Sequence, residues 1–157
     1  MEIRFDEQVA IVTGAGRGLG RAHAIAMASK GAKVVVNDFS GSQQISENAN
    51  SVVEEIISAG GEAIANGANV ANFDQVQCMV NETIDKWGRV DILVNNAGIL
   101  RDKTFLKMSV EDMREVIDVH LMGSLNCSKA AWETMREQSY GRIVLTSSSS
   151  GLYGNFG

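Results

Sequence analysis

Runs of apolar, mostly β-branched residues alternate along the chain with longer stretches whose apolar positions recur at helical spacing. QVAIVT (8–13) predicts a strand buried on both faces, and after a glycine-rich turn LGRAHAIAMASKG predicts a helix ending near Gly31. KVVVND (33–38) predicts the second strand, and SENANSVVEEIISAGG a second helix with Val52, Val53, Ile56 and Ile57 on one face and a double glycine as its stop. EAIANGANV (62–70) predicts a weaker third strand. FDQVQCMVNETIDKWG predicts a third helix that turns Val76, Met79, Val80, Ile84 and Trp87 inward, and VDILVNN a fourth strand. SVEDMREVIDVHLMGSLNCSKAAWETMREQ predicts one long helix opened by a capping box, Ser109 with Asp112 three residues on, and RIVLTSS predicts strand five.

Five strand–helix alternations, with strands apolar on both faces, predict a Rossmann-type α/β fold: a doubly wound parallel sheet with helices on both faces, in a single domain over residues 1–157. A content of 45% hydrophobic and 21% charged residues fits one packed globular core. The net charge of −5 and the scattered basic residues exclude the positive stripe that nucleic acid requires. The apolar runs AIAMA, VVV and IVL are far shorter than a bilayer span, and MEIRFDEQ lacks a signal-peptide layout, so an intracellular protein without a membrane partner is expected. Cys78 and Cys127 fall in different helices and are expected to be reduced core thiols, with no metal site.

The candidate chemistry begins at TGAGRGLG (13–20), which follows the first strand and opens the first helix. Glycines let the backbone turn with positive φ and approach a ligand without a Cβ in the way. The free amides of a helix start then face an anion such as a diphosphate, with about half a positive charge from the helix dipole. A tight packing turn without ligand is the bland alternative. Asp38 ends the second strand eighteen residues past Gly20, where a carboxylate can accept both hydroxyls of an adenosine ribose; a solvated strand-end cap is the alternative. A 2′-phosphate about 4 Å from that carboxylate would meet roughly 4 kcal/mol of repulsion per unit charge at an effective dielectric of 20, which favours NAD over NADP. Arg17 could offset part of this by pairing with the phosphate, without removing the carboxylate.

TGAGRGLG, ANV (68–70), DILVNNAG (91–98) and GRIVLTSSSSG (141–151), in this order, resemble the short-chain dehydrogenase/reductase family over the whole chain. The resemblance implies that Gly14, Arg17, Gly18, Leu19 and Gly20 hold a diphosphate, Asp38 the ribose, Asn69 and Val70 the adenine, and that Asn96, Ala97 and Gly98 line the cofactor near its centre. Within the family, GILRDKTF, VHLMGS, KAAWETM and SSSSGLYGNFG resemble most the (3R)-hydroxyacyl-CoA dehydrogenase domain of multifunctional β-oxidation enzymes. The 3-oxoacyl carrier-protein reductases come second; they generally take NADP, and Asp38 counts against them. The implied cofactor is NAD, the implied substrate an acyl-CoA-type alcohol or ketone, the implied location cytoplasmic or peroxisomal, and the implied assembly a homo-oligomer at full length.

In the family reaction a tyrosine moves the proton, a lysine four residues later lowers its pKa, and a serine orients the substrate oxygen. The serine carries over to Ser148. Tyr153 comes too early and has Gly157 four residues on, so it reads as a wall of the substrate entrance or as surface. The chain therefore resembles the first part of a longer dehydrogenase, lacking its last strands and ending before the catalytic tyrosine and lysine. His120 stands where many members carry asparagine; it can take the same hydrogen-bonding place in a proton relay, or be a packed or solvated helix residue. A nucleotide-binding or regulatory module that never catalyses remains a rival. A methyltransferase on the same sheet would share the glycine loop but leave NNAG and the serine segment unexplained.

Overall fold

A computed structural model describes residues 3–41 and 44–154. Five strands, β1 (Val9–Thr13), β2 (Lys33–Asn37), β3 (Glu62–Asn66), β4 (Ile92–Asn95) and β5 (Arg142–Leu145), pair in parallel in the order β3-β2-β1-β4-β5. The register sets Ile11 beside Val35 and Leu93, so β1 is flanked on both sides and all five of its residues are buried. Helices α1 (Gly18–Ser29) and α2 (Glu47–Ser58) cover one face, and α3 (Phe73–Trp87) and α5 (Gly123–Glu137) the other. Helices α4 (Val110–Ile117) and α6 (Ser149–Tyr153) complete the fold.

Strand periodicity divides the interior into two cores. Ala10, Val12, Val34, Val36, Ile92 and Val94 point toward Ala24, Ala28, Val52 and Ile56 of α1 and α2. Ile11, Val35 and Leu93 point the other way, onto Val76, Met79 and Val80 of α3 and Cys127, Ala131 and Met135 of α5. Complete burial of a side chain such as Ile11 or Leu93 contributes about 1.5–3 kcal/mol. The helix limits have local causes: Ser46 caps α2 by accepting from the Ala49 N–H, Asn72 caps α3, and Gly88 ends α3 in the left-handed conformation at φ 75°.

Five expectations are corrected. The third strand stops at Asn66 and does not reach Val70: the Asn66 carboxamide oxygen accepts from the Ala68 N–H at 2.9 Å, and Asn37 Nδ2 donates to the Ala68 carbonyl at 2.9 Å, so side chains replace the ladder. The long helix runs on from Val110 to Glu137 as expected but contains a π turn, Asp118–Met122, where the Ser124 hydroxyl donates to the His120 carbonyl at 2.7 Å and Gly123 abuts Val70. Ile57 is 54% exposed, on the rim of the α2 face that buries Val52 and Ile56. Cys78 is exposed, while Cys127 lies in the core. The fifth strand is also shorter than expected, and its Val144 and Leu145 are 49% and 63% exposed at the sheet's edge.

Candidate functional site

Strand order reverses at β1, whose neighbours β2 and β4 are reached on opposite faces, and a crevice opens at the carboxyl ends there. Thr13, the buried last residue of β1, ties its two sides together. Its Oγ1 accepts from the N–H groups of Asn96 and Ala97, both at 3.0 Å, and donates to the Val94 carbonyl at 3.3 Å. Asn96 Nδ2 donates back to the carbonyls of Thr13 at 2.9 Å and Gly14 at 3.1 Å. Gly14 has φ +63°, and a Cβ there would stand 2.8 Å from Ala97 Cα, so the turn and the NNAG segment approach at a distance that requires glycine. Gly20 lies against the Gly14 carbonyl and the Asn96 carboxamide.

The first amides of α1 have no intrahelical partner, and Arg17, which precedes the helix in extended conformation, supplies no side-chain cap to them. Arg17, Gly18 and Leu19 are exposed, and nothing lies within 4 Å of where a Gly18 Cβ would be. Asp38 follows β2 directly. Its Oδ2 accepts from the Ser46 hydroxyl at 2.7 Å, and a Cβ on Gly16 would come within 2.3 Å of the same oxygen. The glycine turn therefore touches the carboxylate.

Gly14, Asp38, Asn69, Val70, Ala97 and Gly98 line one cavity of about 110 Å³, together with Asn37, Phe39, Ala68, Ile99 and Val119. The Asn69 N–H donates to Gln75 Oε1 at 2.9 Å, and its Oδ1 accepts from the Ala71 N–H at 3.0 Å; the Val70 carbonyl accepts from Asn126 Nδ2 at 2.9 Å. His120, in the π turn, packs its ring over Gly98. Its Nε2 stands 3.1 Å from the Ile99 N and 2.9 Å from the Ile99 O, so it holds the segment leaving β4 from above. Farther along, Arg101 pairs with Glu115 at 2.9 Å and Lys103 with Asp112 at 2.6 Å. The Lys103 ammonium and the Ser109 hydroxyl hold the Asp112 carboxyl below its usual range.

Ser148 is not among the cavity's lining residues. It caps the short α6, its Oγ accepting from the Ser150 N–H at 3.2 Å, on an exposed segment where Tyr153 is 86% exposed. Thr13, Gly16 and Ser46 take part in the site although sequence reasoning gave them no role. Thr13 and Gly16 sit inside the quoted glycine motif, whereas Ser46 carried a helix-start signal alone. Among the described residues no group of three or more His, Cys, Asp or Glu is placed to hold a metal, and no helix is long and apolar enough to cross a membrane.

The Asp38 carboxylate, the small or apolar walls of the cavity and the glycine turn that adjoins the carboxylate suit an anion attached to a sugar. Fold and crevice place the chain among doubly wound Rossmann-type α/β proteins. It belongs to the short chain dehydrogenase family, whose profile matches residues 8–157. It is 51% identical to peroxisomal multifunctional enzyme type 2 of Drosophila melanogaster over 99% of this chain and 26% of that protein. It is also 51% identical to a 3-oxoacyl-[acyl-carrier-protein] reductase of Synechocystis over 96% of this chain and 59% of the relative. The structure of a 7α-hydroxysteroid dehydrogenase complexed with NADH and 7-oxo glycochenodeoxycholic acid superposes with a TM-score of 0.89 at 34% identity, covering 98% of this chain and 58% of that one. The chain thus spans about a quarter to three fifths of these proteins.

Proposed function

We propose that the crevice binds NAD and that the chain forms the cofactor-binding part of an oxidoreductase acting on a secondary alcohol or ketone, a (3R)-hydroxyacyl-CoA and its 3-oxo partner being the substrate class favoured. One observation carries the cofactor reading. The Asp38 carboxylate lies against Gly16 of the turn and lines the same cavity as Asn69 and Val70, so an anion at the turn, a sugar at the carboxylate and a flat base at Asn69 would be contiguous. The cradle exists because side chains are missing from it: a Cβ on Gly14, Gly16 or Gly20 would collide with Ala97, Asp38 or the Gly14 carbonyl.

When bound, the nicotinamide supplies the hydride acceptor or donor. The residues of this chain do the rest of what can be assigned. The first amides of α1 hold the diphosphate, with Arg17 beside them, and Leu19, 68% exposed, covers it. Asp38 accepts from the ribose hydroxyls and repels a 2′-phosphate. Asn96, locked to Thr13 and Gly14, fixes the floor along which Ala97 and Gly98 meet the cofactor's middle. His120 keeps that floor in place through Ile99, the position from which a relay would run. Ser148 is assigned to orient the substrate oxygen. Neither Tyr140 nor Tyr153 has a lysine four residues on, so the tyrosine–lysine pair that the family reaction needs is not supplied by these residues.

The acyl-CoA assignment draws on the likeness to peroxisomal multifunctional enzymes, which also makes the peroxisome the favoured location. The reductase likeness keeps a carrier-protein-linked substrate as the second reading, and Asp38 argues against it through cofactor choice. Titrating NADH and NADPH against the full-length protein tests the first step: NADH should bind more tightly, and the preference should shrink in Asp38→Ala. Equal affinity in the unmutated protein would refute the ribose assignment.

A further inference from the structure

Ser46 uses its hydroxyl twice. As the cap of α2 its oxygen accepts from the Ala49 N–H at 3.0 Å, and its proton goes to Asp38 Oδ2 at 2.7 Å. The residue is 6% exposed, and the two hydrogen bonds hold its hydroxyl in this geometry. Phe39 and Ile45 form an antiparallel bridge beside it, and the Ser40 hydroxyl donates to the Gln44 carbonyl at 3.1 Å. On the other side Gly16 packs against Oδ2, so one carboxylate oxygen is boxed between a donor and a backbone.

We propose that Ser46 is a positioning residue for cofactor choice: by holding Oδ2 it turns the remaining oxygen of Asp38 toward the crevice, and so sets the preference for a dinucleotide with a free 2′-hydroxyl over one with a 2′-phosphate. This rests on the dinucleotide reading given above. The mechanism has two sides. A fixed carboxylate presents its acceptor to the ribose without having to be ordered on binding. A serine hydroxyl whose proton already serves Asp38 and whose lone pair serves Ala49 also has no donor left for a 2′-phosphate.

The test is a set of NADH and NADPH titrations on the full-length protein, with the unmutated form, Ser46→Gly, Ser46→Thr, Asp38→Ala and the Asp38→Ala/Ser46→Gly double variant. Glycine is used because it replaces a capping serine at a cost of about a few tenths of a kcal/mol, so α2 is retained, and circular dichroism melting checks this. Ser46→Gly should weaken NADH binding by about fivefold to tenfold, a fraction of the full worth of a hydrogen bond to a charged group because Asp38 itself still faces the ribose, and leave NADPH unchanged. Ser46→Thr should restore the preference, and in the Asp38→Ala background Ser46→Gly should leave the ratio where it was. An unchanged ratio in Ser46→Gly, or the same change with Asp38 absent, overturns the proposal while NADH binding by the unmutated protein still stands. Failure of the unmutated protein to bind either dinucleotide overturns the underlying reading, and this inference with it.

Discussion

Replacing Thr13 with valine would remove one oxygen from the junction between the glycine turn and the NNAG segment while keeping the β-branched shape that β1 prefers. Thr13 Oγ1 is saturated, accepting from two backbone N–H groups and donating to one carbonyl. Valine leaves the Asn96 and Ala97 amides without that acceptor. Each stranded donor costs about 1–3 kcal/mol, and because both residues are half-buried the sum should fall at about 2–4 kcal/mol. With a urea m-value of about 2 kcal/mol/M, the denaturation midpoint should drop by about 1–2 M, read by circular dichroism on the full-length protein. Thr13→Ser keeps the hydroxyl and should stay within about 1 kcal/mol of the unmutated protein. NADH affinity should fall in the valine variant and persist in the serine one, because the same amides set the floor of the crevice. A valine variant whose midpoint moves by less than about 0.3 M, with unchanged NADH binding, would refute the pinning role.

Two further outcomes follow from charge and burial. Because the Lys103 ammonium, and then Ser109, hold the Asp112 carboxyl below its usual 3.8, the unfolded chain takes up the proton first as pH falls. The stabilisation is therefore present above the ordinary carboxyl range and lost as pH drops through the folded value; Asp112→Asn should flatten this acid limb in melting curves from about pH 7 to about pH 2, and an unaltered limb would count against it. Burial pushes the Cys127 thiol up to about 12, so a disulfide reagent near pH ~8 should label only exposed Cys78 in the folded protein and both cysteines in denaturant. Equal labelling of both in the folded state would contradict the packing described around α5.

Much of the fold was legible because β1, β2 and β4 are apolar on both faces and helices α2 and α3 carry a strong 3.6-residue pattern; α1 buries only Gly20, Ala24 and Ala28 and is marked instead by the glycine turn before it. What the pattern hid was set by single polar groups. The end of β3 depends on Asn37 and Asn66 bonding to the backbone at Ala68, a contact between strands that no local periodicity reveals. The π turn adds only one residue's worth of phase to a helix that continues on both sides of it, so Gly123 and Ser124 gave no warning of it. Cys78 could have been placed correctly: Val76, Met79, Val80 and Thr83 share a face, and position 78 lies roughly opposite to it. At the site, Gly14 and Asp38 line the cavity and left a mark in the glycine turn and the strand-end acid, whereas Asn69, Val70, Ala97 and Gly98 came from the family resemblance, and Arg17, Gly18, Leu19, Gly20, Asn96, His120 and Ser148 lie outside its lining. Thr13 and Ser46 do not stand out in that way; a hydroxyl's importance comes from which amides and carboxylates the fold brings to it.

The central claim is that the turn after β1 and the carboxylate after β2 grip one dinucleotide, and a crystal structure of the full-length protein grown with NAD tests it most directly. The account predicts the diphosphate on the first amides of α1, the ribose hydroxyls within hydrogen-bonding distance of Asp38, and the adenine beside Asn69 and Val70. A dinucleotide bound elsewhere, or Asp38 swung to solvent with the turn bare beside a bound cofactor, would contradict it.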